Sequence, residues 1–264
     1  MLVQAPKATG IFDRIVCGVD SSPESLEAAR QADRLRSSEG LLRLATVADV
    51  NVAVHAGYAA THVLGELDAA ARDALHKAVD AVHPSSTHLL AGDPVPSLLD
   101  ELSRSDATLV SVGPHGHSRM LGMLLGGMST ALLHEAPCSI LLARRPRFGP
   151  FPGSILCGVD GSDHSLAAAE VANDIAERFG SELVFVAATG GKSIDLDRIR
   201  DLDSDVVDDQ RKPVEALVDL SEEADLLVVG SRGLHGPAAL GSVSERVAHR
   251  AASSVLVVRP PSDT

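Results

Sequence analysis

Tryptophan is absent, tyrosine occurs once and phenylalanine five times in 264 residues, so aromatics make up 2% of the chain. Its core must be aliphatic. A planar ligand would have to rest on aliphatic side chains and main chain instead of an aromatic stack. Positive charge is also scarce, with 23 Lys and Arg against 36 Asp and Glu and a formal net charge of -13. That balance argues against DNA, RNA or anionic lipid as the main partner, because such binding needs a basic footprint. No apolar run approaches the ~20 residues of a membrane span. The opening "MLVQAPKATG" has neither the basic nor the apolar region of a secretory signal. Residues 1–11 read as a loose tail, and the expected location is the cytoplasm.

Cysteine is sparse: Cys17, Cys138 and Cys157 form no CxxC and no metal-spaced pair. Each sits in an apolar, strand-like run, where a free thiol acts as a small buried hydrophobe. The histidines His115, His117 and His235 lack a third ligand at metal spacing, so no metal site is expected. His134 and His249 take equivalent places near helix ends and read as capping and packing residues. A Gly-x-Ser-x-Gly nucleophile elbow and a GxxxxGK[ST] phosphate loop are both missing.

What the chain does have is a repeat of itself. "RIVCGVD" from Arg14 answers to "SILCGVD" from Ser154, and the "SLEAARQADRL" that follows the first answers to "SLAAAEVANDI" after the second. "ATLVSVGPHG" answers to "ADLLVVGSRG", and "HEAPCSILLARRP" to "HRAASSVLVVRPP", in the same order. Matched segments in one order mark a duplication. The Pro/Gly-rich "RRPRFGPFPG" joins the copies, which gives two domains, 1–147 and 148–264.

Strand and helix patterns alternate in each copy. In the first, strands are expected over 14–20, 41–50, 87–93, 107–113 and 138–144, with helices over 22–38, 65–82, 95–105 and 128–136. Strands apolar on both faces imply a parallel sheet covered by helices on each side. Two tandem open five-stranded Rossmann-like α/β units follow, the second with a shortened second helix. Ser21 with Glu24 is the expected capping box of the first helix, with Pro23 in its first turn.

Open α/β sheets bind ligands beyond the carboxyl ends of their strands. Two elements end there in each copy: an aspartate closing strand one (Asp20, Asp160) and a glycine loop after strand four. In the first loop Gly113 is followed by Gly116 and then by Gly126 and Gly127, before Ser129 opens a helix. Glycines let main-chain N–H groups approach an anion, and a helix N-terminus adds oriented donors. A phosphate chain suits such a loop, and the recurrence "GSRGLHGPAALGSVS" argues for a function. Asp20 fits both a helix start and a ribose or cation contact.

These features resemble the universal stress protein family: G-x2-G-x9-G after strand four, "GVD" closing strand one, and "APCSILLAR" as the last strand. Both copies resemble its domains, so the chain looks like a tandem member. The resemblance implies an adenine nucleotide alpha hydrolase-like fold that binds ATP, or AMP or ADP, with Mg²⁺ accompanying the nucleotide. It places Asp20 beside ribose and phosphates, the main chain at Val47 beside adenine, and Gly113, Gly116, Gly126, Gly127, Met128 and Ser129 around the phosphates. The second-copy counterparts are Asp160, Ala187, Gly230, Gly233, Gly241, Ser242, Val243 and Ser244. It also implies pairing through the last strands, here within one chain, and leaves a further homodimer open.

Both copies depart from the family pattern. Gly127 stands where Ser or Thr is usual, and the second loop spaces its glycines by seven residues where nine are usual. The expected function is a nucleotide-binding stress regulator with at most slow ATP hydrolysis and no catalytic residues. Alternatives are a nucleotide-independent tandem adaptor and an adenylyl-transferring enzyme. The latter carries His-x-Gly-His at the start of helix one. This chain has Ser21, Ser22, Pro23 and Glu24 there, and "GSDHSL" in the second copy.

Overall fold

The computed structural model describes residues 11–49, 60–115, 125–191, 206–231 and 243–260. Ten strands form one sheet in the order β3-β2-β1-β4-β5-β10-β9-β6-β7-β8. The first half supplies β1 (Phe12–Gly18), α1 (Pro23–Leu35), β2 (Arg36–Asp49), α2 (Ala60–Ala81), β3 (Ser86–Gly92), α3 (Pro94–Arg104), β4 (Leu109–Val112), α4 (Gly127–Glu135) and β5 (Ser139–Leu142). The second supplies β6 (Ser154–Gly158), α5 (Asp163–Phe179), β7 (Glu182–Ala188), β8 (Val206–Asp209), α6 (Pro213–Leu220), β9 (Leu226–Gly230), α7 (Val243–Arg250) and β10 (Ser254–Val258). The expected shortened helix after β7 falls on residues 192–205, outside the described residues.

The period of two in the strands decides which layer each side chain joins. Ile15 and Cys17 pack under α1, α2 and α5 on one face, while Val16 packs under α3, α4, α6 and α7 on the other. The α1 face toward the sheet is made of small residues, Ala28, Ala29 and Ala32, all fully buried. That lets the helix lie close to the strands. Close approach also explains two motif glycines. A Cβ on Gly113 would sit 2.9 Å from Glu24 Cβ, and one on Gly230 would sit 2.5 Å from the His164 carbonyl oxygen. Neither has a positive φ. They are glycines for room against the first helix, not for left-handed backbone.

Every described neighbour pair in the sheet is parallel except β5 with β10. There Leu142, Leu141 and Ile140 stand opposite Val255, Leu256 and Val257. This antiparallel seam makes the sheet continuous across the two halves. Arg144 bonds the carbonyls of Ala248 (2.7 Å) and Ser253 (3.1 Å), and Arg259 bonds those of Leu133 and Ala136. Gln31 joins in, donating to the Arg144 carbonyl while its own amide oxygen accepts from Ser254 Oγ. His134, in the last turn of α4 as expected, also approaches Glu245 to 3.4 Å across the same seam.

Two local expectations are corrected. The α1 cap is Ser22, whose Oγ accepts from Ser25 N at 3.1 Å, and not Ser21. Ser21 takes φ 64 and turns the chain one residue before the cap. The helix also stops at Leu35, because the chain from Arg36 already runs as β2, with Arg36 opposite Phe12.

Candidate functional site

β1 ends at Gly18, opposite Ala45, whereas β2 runs on to Asp49. The stretch of β2 beyond Ala45 therefore has no strand on its β1 side. The Ala45 carbonyl accepts from Val19 N at 2.9 Å, so it points toward β1. Main-chain groups alternate sides along a strand. Those of Val47, two residues on, hence face the same side, where the sheet leaves a crevice. Val47 presents one donor and one acceptor there.

At the other end of the crevice stands the N-terminus of α4. Gly126 is its N-cap at φ -72 and ψ 160, and no side chain caps it. Gly126 N donates to the Pro114 carbonyl (2.8 Å) and Thr130 N to Gly126 O (3.0 Å), which closes the helix onto the end of β4. The N–H groups of Gly127, Met128 and Ser129 occupy the first turn, where donors lack intrahelical partners and the helix carries partial positive charge. A Cβ on Gly127 would meet nothing within 4 Å.

Between these ends lies a cavity of about 700 Å³. Its walls include Asp20, Ser21, Val47, Gly113, Gly126, Gly127, Met128 and Ser129, so the described first-half residues singled out by sequence come together. Gly116 lies outside the described residues. The Ser129 hydroxyl donates to the carbonyl of Gly113 at 2.8 Å, and so fastens α4 to β4. What Ser129 offers the cavity is its main-chain N–H.

Asp20 is organised as a turn. Its Oδ1 accepts from Ser22 N (3.1 Å) and Ser22 Oγ (2.5 Å), which orients the carboxylate beside the cavity. The neighbouring Ser21 sits in the left-handed region, and its buried hydroxyl has no hydrogen-bond partner. In the second half that left-handed position belongs to Gly161, at φ 76.

The second cavity measures about 290 Å³ and is lined by Asp160, Gly230, Val243 and Ser244. Asp160 holds Ser162 as Asp20 holds Ser22, and Ser244 Oγ donates to Gly230 O at 2.6 Å. Gly233, Gly241 and Ser242 lie outside the described residues. Ala187 is corrected by register. Gly158 stands opposite Val186, whose carbonyl accepts from Val159 N, so the counterpart of Val47 is Ala188. Ala188 lines the second cavity, while Ala187 is fully buried in the core.

Sequence reasoning missed α2. Leu67, Ala70, Ala71, Asp73, Ala74 and Lys77 form one wall of the first cavity. Nothing in that helix resembles a motif, and only its placement beside β2 reveals the role. Lys77 pairs with Asp73 at 2.5 Å. Among the described residues no group of three His, Cys, Asp or Glu side chains is placed to hold a metal ion.

Burial pushes the Cys17 and Cys138 thiols up to about 12 and Cys157 further still. All three are buried, which matches inert core thiols. Among the described residues no helix is long and apolar enough to cross a membrane.

Comparison with known proteins gives a concordant picture. A profile of the universal stress protein family matches residues 11–144 and 192–259. A universal stress protein of Mycolicibacterium smegmatis is 30% identical over 285 residues, covering 93% of this chain and 97% of the relative. One of Mycobacterium tuberculosis is 34% identical over 195 residues, which span 62% of this chain and 65% of that protein's length. The crystal structure of a universal stress protein from Archaeoglobus fulgidus superposes with a TM-score of 0.75 over 97% of this chain and 99% of that one, at 18% identity. At that identity the last likeness speaks for the fold alone. Family profile, full-length relative and fold agree: the chain belongs to the universal stress protein family.

Proposed function

We propose that the protein is an adenine-nucleotide-binding regulator of the stress response, with its principal site in the first-half cavity. One observation carries this reading: a single cavity has anion-seeking helix N–H groups at one end and the unpaired main-chain groups of Val47 at the other. A nucleoside phosphate has matching ends. Its base edge pairs with a donor and an acceptor, and its phosphates take helix N–H donors. ATP, ADP and AMP all meet this description. Mg²⁺ then enters as part of the bound nucleotide, held by phosphate oxygens.

The larger volume of the first cavity favours binding mainly in the first half. The proposed role is binding, with at most slow ATP hydrolysis. Residues 1–147 and 148–264 are read as two domains joined as an intrachain pair, and the antiparallel β5–β10 seam supports that pairing. The test is calorimetric titration of nucleotide-stripped protein with ATP, ADP and AMP. Saturable binding of about one nucleotide per chain is expected. Absence of binding by all three would overturn the proposal and leave the nucleotide-independent adaptor.

A further inference from the structure

The first cavity carries a charged pair that no family motif accounts for. Asp73 and Lys77 lie one turn apart on α2, with N and O 2.5 Å apart, and both line the cavity. Helical side chains lean toward the helix N-terminus. α2 follows β2, so it descends from the carboxyl edge of the sheet, and that lean carries the Lys77 ammonium up toward the crevice beside Asp73. Lys77 is the one Lys or Arg among the described lining residues.

Position within the crevice identifies what the pair faces. α4, with its anion-seeking end, packs on the sheet face opposite α2. α2 packs on β2, with Ala78 in one layer with Leu42 and Leu44, and it shares the cavity with the end of that strand, where Val47 presents its main chain. The pair thus stands at the base end, away from the phosphate end. Small side chains, Ala70, Ala71 and Ala74, leave space between the helix and β2.

We infer that Asp73 is a specificity-determining residue that reads the C6 substituent of a bound purine, and that Lys77 positions it. This rests on the nucleotide reading above. The exocyclic amino group of adenine has two hydrogens. One suits the Val47 carbonyl and the other suits the Asp73 carboxylate. A 6-oxopurine puts an acceptor oxygen in the same place, so a carboxylate there disfavours it. Discrimination by an unpaired or repelled polar group exceeds what shape alone gives. The ion pair is more than half exposed on both sides, so its own energy is small. Its use is orientation: the ammonium fixes one carboxylate oxygen and leaves the other to the base.

The experiment compares ATP with inosine triphosphate, which differs at C6 and N1, on the full nucleotide-stripped chain. Wild type is expected to prefer ATP by about tenfold or more, the size of one charged hydrogen bond. Asp73→Asn offers an amide that donates to O6, so the ratio should fall several-fold, mainly through tighter inosine triphosphate, while the Val47 main chain keeps it above one. Lys77→Met should weaken ATP while keeping a preference for it, and Lys77→Arg should restore affinity. Both side chains are over half exposed, so folding is expected to survive, and circular dichroism checks it. An ATP preference unchanged in Asp73→Asn would overturn this inference alone. Wild-type protein that binds neither nucleotide would instead overturn the function proposed above.

Discussion

Arg144 and Arg259 exchange helix ends across the seam between β5 and β10. Each follows the last strand of its own half and donates to terminal carbonyls of the other half's last helix, Ala248 for Arg144 and Leu133 and Ala136 for Arg259. Cations suit helix C-termini, where carbonyls lack partners and the dipole is negative. Burial lowers the affinity of both guanidiniums for their protons, Arg144 to about 10, which leaves Arg144 charged near neutrality.

Arg259→Ala should therefore destabilise the fold by about 2 kcal/mol, because it strands buried carbonyls as well as removing bonds. Arg259→Lys should recover only part, since an ammonium lacks the planar fork that reaches two carbonyls. Urea denaturation reads the difference. A loss within experimental error for Arg259→Ala would show that water replaces the guanidinium without cost.

The same seam predicts how an isolated half behaves. β5 is fully buried against β10, and a bare apolar edge strand templates association. Residues 1–147 alone should form dimers or larger species at tens of micromolar in light scattering. A clean monomer would show that the halves are stable separately.

The thiols predict a pH dependence of stability. An unfolded cysteine titrates near 9, whereas folded Cys17 titrates near 12. Between those values the unfolded state has lost a proton that the folded state keeps, so stability falls as pH rises. It is fully present below 9, and each such thiol adds up to about 1.4 kcal/mol of loss per pH unit. Comparing wild type with Cys17→Ala from pH 8 to 10.5 isolates one thiol from the arginines and lysines. Parallel profiles would contradict the burial. DTNB should label the native protein slowly for the same reason, and fast labelling would contradict it too.

Much of this was written in the sequence, and the exceptions have physical causes. The strands were legible because both their faces are buried, as in Ile15, Val16 and Cys17. The cap slipped by one because Ser21–Glu24 and Ser22–Ser25 both have capping spacing, and only the left-handed turn at Ser21 decides between them. Ala187 slipped to Ala188 for a related reason. Matching two repeats tolerates one residue of error, but a strand reverses its facing with each residue. Asp73 and Lys77 were invisible because a salt-bridged surface helix looks the same whether or not a cavity lies beneath it. Gly113, Gly126 and Gly127 line the cavity, but partly for another reason than the one the motif suggests, since Gly113 serves packing against Glu24.

That last distinction separates the glycines by experiment. At Gly113 an added Cβ would lie 2.9 Å from Glu24 Cβ and 3.0 Å from its carbonyl carbon, so Gly113→Ala must push α1 off the sheet. A cost of about 1–3 kcal/mol is expected, as for other overpacked sites. Gly127 is the opposite case. Its added Cβ meets open space, and it sits in the first turn of α4 without a positive φ. Gly127→Ser should leave stability unchanged or raise it by up to about 1 kcal/mol, since glycine is a poor helix residue. The new hydroxyl would project beside the N–H groups proposed to hold phosphate, where the family usually has Ser or Thr. ATP should then bind several-fold tighter. Saturating ATP at ~100 times its dissociation constant is worth about 2.7 kcal/mol of stability, roughly 5–10 °C in melting temperature. At one sub-saturating ATP concentration Gly127→Ser should shift further than wild type. AMP discriminates the cause: a hydroxyl that serves the outer phosphates helps ATP more than AMP. Equal gains for both would put the contact at the first phosphate or the ribose, and no gain for either would place the phosphates away from the α4 N-terminus.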